Sequence, residues 1–241
     1  MRRAMAITLA AAAGSLAACG EARSEDAGPE TERTYQVGNF DRIQVAGPYD
    51  VDVRTGANPG VRAQGAERGI ERLVVEVRGS ELRIHPQKRG AFNFGWSKAH
   101  KVRLTVTVPA IREATIAGSG GIRVDRVQGE SFSGQIAGSG DLALGEVEVA
   151  DLKLGIAGSG EATVRAGRAG RAQFEIAGSG DINAGGVQAE TATISIAGSG
   201  NVRGNASGSA DVRIAGSGDV EITGGARCTI SRQGSGNVRC S

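Results

Sequence analysis

The pentapeptide Ile-Ala-Gly-Ser-Gly begins at Ile116, Ile136, Ile156, Ile176, Ile196 and Ile214, in steps of 20, 20, 20, 20 and 18 residues. A degenerate copy, Arg232-Gln233-Gly234-Ser235-Gly236, follows after a further 18. A unit this short cannot bury an apolar face alone, so each copy must pack on its neighbours. Apolar or small residues alternate before each Gly-Ser-Gly, as in Leu152, Leu154, Ile156 and in Ala172, Phe174, Ile176. The alternation resumes after it, with Ile122 and Val124, then Leu142 and Leu144. A period of two with β-branched enrichment marks strands. Strands meeting at a glycine-rich corner once per unit predict an all-β fold, a parallel β-helix with coils of about 20 residues. Its crossovers are expected to be right-handed. A disordered glycine-rich chain has no reason to keep apolar residues in phase over six units.

This reading accounts for the composition. Glycine supplies 39 of 241 residues and aromatics only 3%, so the interior must consist of stacked aliphatic columns. Charge is balanced at 28 Lys+Arg against 26 Asp+Glu, without the cationic excess that nonspecific nucleic-acid binding requires.

Residues 1–18 read as a secretory leader: Arg2 and Arg3 precede an apolar run too short to span a bilayer. Leu16-Ala17-Ala18-Cys19 resembles the bacterial lipobox, which implies lipidation at Cys19 and, with Gly20 following, an outer-membrane lipoprotein. Residues 19–36 are polar and charged and are expected to form a disordered tether. The remainder, 37–241, reads as one solenoid domain, with irregular coils over 37–110 and Gly-Ser-Gly coils over 111–241.

The irregular part contains strand-like runs at Arg42–Val45, Tyr49–Val53, Leu73–Val77, Glu81–Ile84 and Val102–Val108. Three features occur in order: the segment from Phe40 to Val51, then Glu81-Leu82-Arg83-Ile84, then Val102–Val108 with Pro109 ahead of the Gly-Ser-Gly repeats. On these the chain resembles the auto-transporter adhesin "head GIN" domain family over about residues 36–241. The resemblance implies a β-helical domain of the bacterial envelope and brings no catalytic residues and no cofactor.

The corner glycines recur in every coil and no Gly-Lys-Ser/Thr follows them, so they make no phosphate cradle. Ala-Gly-Ser-Gly is not a nucleophile elbow, and His85 and His100 lie far from the repeats. Asp141, Glu161 and Asp181 stack carboxylates along one edge. They are weak candidates for a divalent cation, and Asx-type turn capping is the simpler reading. With Cys19 lipidated, Cys228 and Cys240 remain as a candidate disulfide in the final coil of an exported protein. Arg232 stands there in place of the column's isoleucine, as expected where a core meets water.

One segment, His85–Lys101, breaks the pattern. Phe92, Phe94 and Trp96 alternate at period two, flanked by Lys88, Arg89, Lys98 and Lys101. It reads either as a cover for an apolar column or as a contact for anionic lipid or polysaccharide. Together these features predict a non-enzymatic, adhesin-like or ligand-binding envelope module, built on a monomeric domain. Two rivals are a carbohydrate-active β-helix enzyme, for which no acidic pair outside the repeats is evident, and a self-assembling scaffold that stacks end to end.

Overall fold

A computed structural model describes residues 28–87 and 102–241. In chain order its elements are β1 (Glu30–Tyr35), β2 (Arg42–Ala46), β3 (Asp50–Thr55), β4 (Gly60–Ala66), α1 (Glu67–Glu71), β5 (Leu73–Arg78), β6 (Glu81–Pro86), β7 (Val102–Val108) and β8 (Glu113–Gly118). There follow β9 (Gly121–Gly138), β10 (Asp141–Gly158), β11 (Glu161–Gly178), β12 (Asp181–Gly198), β13 (Asn201–Gly216), β14 (Val220–Thr223), β15 (Arg227–Gly234) and β16 (Val238–Cys240).

The long strands β9 to β13 are single coils of a β-solenoid of about six turns, stacked in parallel. Residues 20 apart face each other, so Ile136, Ile156, Ile176 and Ile196 form one continuous inner column. Each is at most 3% exposed, a burial worth roughly 1.5–3 kcal/mol per side chain. Where the period falls to 18, the β12–β13 register shifts between Asn183 and Gln188 and again between Ala189 and Thr191. The isoleucine column passes this irregularity intact, with Ile196 on Ile214.

Volume is conserved along the coils. Phe132 shares a coil with Gly134, where a side chain would collide with Leu142 and Leu154. Phe174 shares its coil with Ala172. Each large ring is matched by a neighbour two residues away with little or no side chain, as close packing requires.

The N-terminal part joins the same stack out of sequence order. Strand β2 pairs with both β6 and β8, and β3 pairs with both β7 and β9. The first coil in the chain therefore lies between two later ones. Val45 faces Ile116 and Ala46 faces Ala117, while Asp50 faces Gly121. Residues 46–49 are thus a further copy of the Gly-Ser-Gly corner, with Tyr49 in the place of Gly120. Burial, and then the nearby Tyr35, raise the Tyr49 phenol well above its ordinary pKa.

Antiparallel pairs close this end: β1 on β4, β4 on β7, and β5 on β6. The helix α1 adds Ile70, which is 1% exposed. Strand β1 corrects the expected tether over 19–36, because residues 30–35 are ordered. The strand buries little, which is why its composition reads as disorder. What orders it is the pairing of its edge with β4, helped by Gln64 Nε2 donating to Glu32 at 2.7 Å and by the Arg62–Glu32 ion pair at 3.3 Å.

At the other end the stack runs out. Arg232 faces Ile214, ends the column, and donates to the Gly236 carbonyl at 2.6 Å. Ile230 continues the buried Val212 position but is 48% exposed, since no further coil covers it. Cys228 and Cys240 continue the positions of Ala210 and Ile222, and the structure joins them as a disulfide between β15 and β16.

Candidate functional site

The corner column shows what the repeated residues do. At the first glycine of each triplet the backbone has a positive φ, +134° at Gly178. A Cβ there would lie 2.3 Å from the Gly158 carbonyl oxygen. At the second glycine the obstacle is proximity alone: a Cβ on Gly180 would lie 2.5 Å from the Gly160 oxygen and 2.7 Å from Cγ2 of Ile156. Between them the serine N–H donates to the preceding coil, Ser159 to Gly138 and Ser179 to Gly158, both at 2.9 Å. The Gly-Ser-Gly column is a stacked backbone ladder.

The next column includes Asp141, Glu161 and Asp181, which face one another in register. Glu161 accepts from the Thr163 hydroxyl at 2.9 Å. Asp181 Oδ1 accepts from the Asn201 backbone N–H at 3.0 Å and its Nδ2 at 2.9 Å. Asn201 Oδ1 in turn accepts from the Asp219 N–H at 3.1 Å, and Asp219 Oδ1 from the Asn237 N–H at 2.8 Å. Toward the C-terminal end these side chains carry the corner's hydrogen bonds from coil to coil. Among the described residues no group of three or more His, Cys, Asp or Glu is placed to hold a metal ion.

Other outward rows are tied by exposed ion pairs between coils: Arg126–Glu146 at 3.1 Å, Lys153–Glu175 at 3.4 Å and Arg203–Glu221 at 3.3 Å. Arg171 grips Asp151 with two nitrogens, at 2.5 and 2.7 Å, and these hydrogen bonds lower the Asp151 pKa.

Cys19, Lys88, Arg89, Phe92, Phe94, Trp96, Lys98 and Lys101 lie outside the described residues. The structure does give the two ends of the aromatic-basic segment. Ile84 faces Val45 and Arg103 faces Asp50, so β6 and β7 flank the corner at 46–49. Gln87 donates its N–H to the Arg72 carbonyl at 2.8 Å, which fixes the segment's start against the cap.

Sequence reasoning missed one surface. Pairing of β1, β4, β7 and β3 creates an open groove of about 480 Å³ over Thr34, Gly60, Arg62, Thr105, Thr107 and Arg54. Nothing in the order of these residues signals it, because four separate strands contribute.

The class defined by this geometry is a rigid β-solenoid whose repeated columns are structural and whose irregular features gather at the N-terminal end. Residues 39–226 match the family described as "Putative auto-transporter adhesin, head GIN domain", and the chain belongs to it. A solved structure from Parabacteroides distasonis, described as a "putative lipid binding protein", is 25% identical. It has a TM-score of 0.71 and covers 89% of this chain and 97% of its own. A "putative adhesin" from Bacteroides fragilis shares the fold at 21% identity and a TM-score of 0.75, over 88% of this chain and 97% of that one. Another "putative adhesin", from Parabacteroides merdae, does so at 16% identity and 0.68, over 89% and 97%. No functionally curated protein matches the chain. Among the described residues no helix is long and apolar enough to cross a membrane.

Proposed function

We propose that the protein is a non-enzymatic, adhesin-like binding module of the bacterial envelope. Lipid on Cys19 anchors it to the outer membrane, and its aromatic-basic segment contacts anionic lipid headgroups. The observation that carries this is where the segment's flanks lie: β6 and β7 meet the stack on either side of the corner at 46–49, and the sequence between them is cationic and aromatic. Family membership and the descriptions of the similar structures support an adhesin-like or lipid-contacting module.

The order at β1 adds a geometric reason for lipid. Pro29 already accepts the Glu67 N–H at 3.0 Å, so the chain between Cys19 and the solenoid is short. At about 3.5 Å per residue it reaches on the order of 35 Å at most. An anchored solenoid then keeps its N-terminal end, where the segment emerges, near its own bilayer. Three aromatics of shared parity give an interfacial wedge, and the flanking Lys and Arg reach headgroups.

Cys19→Ser is expected to leave an unlipidated precursor; a mass shift and membrane attachment that persist in this variant would remove the anchor. For the segment, the chain from residue 20 is mixed with phosphatidylglycerol-containing vesicles and assayed by co-sedimentation. Replacing Phe92, Phe94 and Trp96 together by Ser should abolish association while the melting temperature holds. If the segment instead covers the core, the triple variant loses several kcal/mol of stability and the wild type has no vesicle binding to lose. Binding to acidic polysaccharide and not to vesicles, lost in the same variant, would assign the segment to glycan.

A further inference from the structure

We infer that the outer face of the N-terminal sheet carries a second site, a groove between Arg54 and Arg62 that takes a linear acidic polysaccharide. The antiparallel cap places Thr34, Arg62, Thr105 and Asp52 in one outward row, and Gly60, Thr107 and Arg54 in the next. Gly60 has no side chain to fill the row, and a Cβ there would press on the Thr107 hydroxyl at 3.1 Å. The bare backbone leaves the dip over which the groove of about 480 Å³ opens.

The groove offers mostly donors. Arg54 is exposed and forms no ion pair among the described residues, and Arg62 is tied only to Glu32, at 3.3 Å, with both side chains more than 40% exposed. The two acids beside the groove are each partly neutralised, Asp52 by Arg123 at 3.6 Å and Glu32 by Arg62. Two guanidinium groups and the Thr34 and Thr105 hydroxyls therefore favour anionic oxygens.

The spacing selects the kind of anion. Arg62 and Arg54 stand on β4 and β3 with β7 between them and are offset by two residues along the strands, so their backbones are roughly 12 Å apart. Guanidinium groups on two strands flanking one groove suit successive acidic groups along a chain. No aromatic lines the groove for a nucleobase to stack on.

Full-length protein purified in detergent is titrated with polygalacturonate, using its fully methyl-esterified form as the uncharged control. Binding is expected for the acidic polymer only and should weaken with salt. Arg54→Gln and Arg62→Gln should each weaken it on the order of tenfold, and the double variant should abolish it. Thr105→Glu, which leaves both arginines and sets a carboxylate between them, should do the same. Arg239→Gln at the far end, and the triple Ser variant of the aromatic segment, should bind as wild type; the latter separates this site from the proposed lipid contact. Absent wild-type binding, equal binding of the esterified polymer, or an unaffected double variant with an unchanged melting temperature would overturn the proposal. So would an arginine-dependent preference for anionic vesicles or a single-stranded oligonucleotide.

Discussion

Gly178→Ala is expected to cost the solenoid at least about 3 kcal/mol, while Ser179→Ala beside it changes stability by less than about 0.5 kcal/mol. The glycine sits at φ +134°, where an L side chain is strained, and its Cβ would come within 2.3 Å of the Gly158 oxygen. That oxygen already accepts the Ser179 N–H at 2.9 Å, so relief by moving the coils apart would break a rung of the corner ladder. For a domain of this size the loss corresponds to a fall of roughly 6–12 °C in melting temperature. Gly180→Ala should also destabilise strongly, by collision with the Gly160 oxygen and Ile156 and without any left-handed strain. Thermal melts of the three variants check this. A Gly178→Ala protein that melts with the wild type would mean the coils can separate at the corner.

Phe174→Ala should cost about 3–5 kcal/mol, the range for deleting a buried aromatic ring. Phe174 is 2% exposed and lies between Leu154 and Ile194 in its column. Its surroundings are poorly able to fill the void. Ala172 precedes it by two residues, and Gly204 comes so close that a Cβ there would be 3.4 Å from the ring. Backbones held at the ladder spacing on both sides cannot collapse inward. Denaturant melts should show a lowered midpoint with an unchanged slope. A loss below about 1.5 kcal/mol would indicate that the column repacks.

Both effects follow from features visible in one dimension, and so does most of the architecture. The 20-residue period sets the coil length because parallel stacking places residue i on residue i+20, and every Ile-Ala-Gly-Ser-Gly copy repeats the same contacts. Arg232 in the isoleucine position marks the end of the core, and the disulfide partners fall in register with buried positions. The same logic failed at Ala46-Gly47-Pro48-Tyr49. That corner holds Pro and Tyr where the repeat has Ser and Gly, so its identity appears only through its pairing with β8 and β9. It failed again at β1, whose stability comes from hydrogen bonds to an edge and from little burial, a quantity that hydrophobic patterning does not register.

What the amino-acid order determined by itself is therefore the periodic part: strand phase, coil length, the glycine corner and the place where the column stops. Those properties are local or repeat at a constant separation, so a pattern in the sequence is also a pattern in space. Only the tertiary structure decided that residues 42–55 enter the stack between 81–108 and the first repeat coil. It alone closed the N-terminal end with antiparallel strands and set Arg54 and Arg62 on opposite sides of β7. Such contacts join segments at unequal separations, and which edges meet is settled by the three-dimensional competition for unpaired backbone N–H and C=O groups.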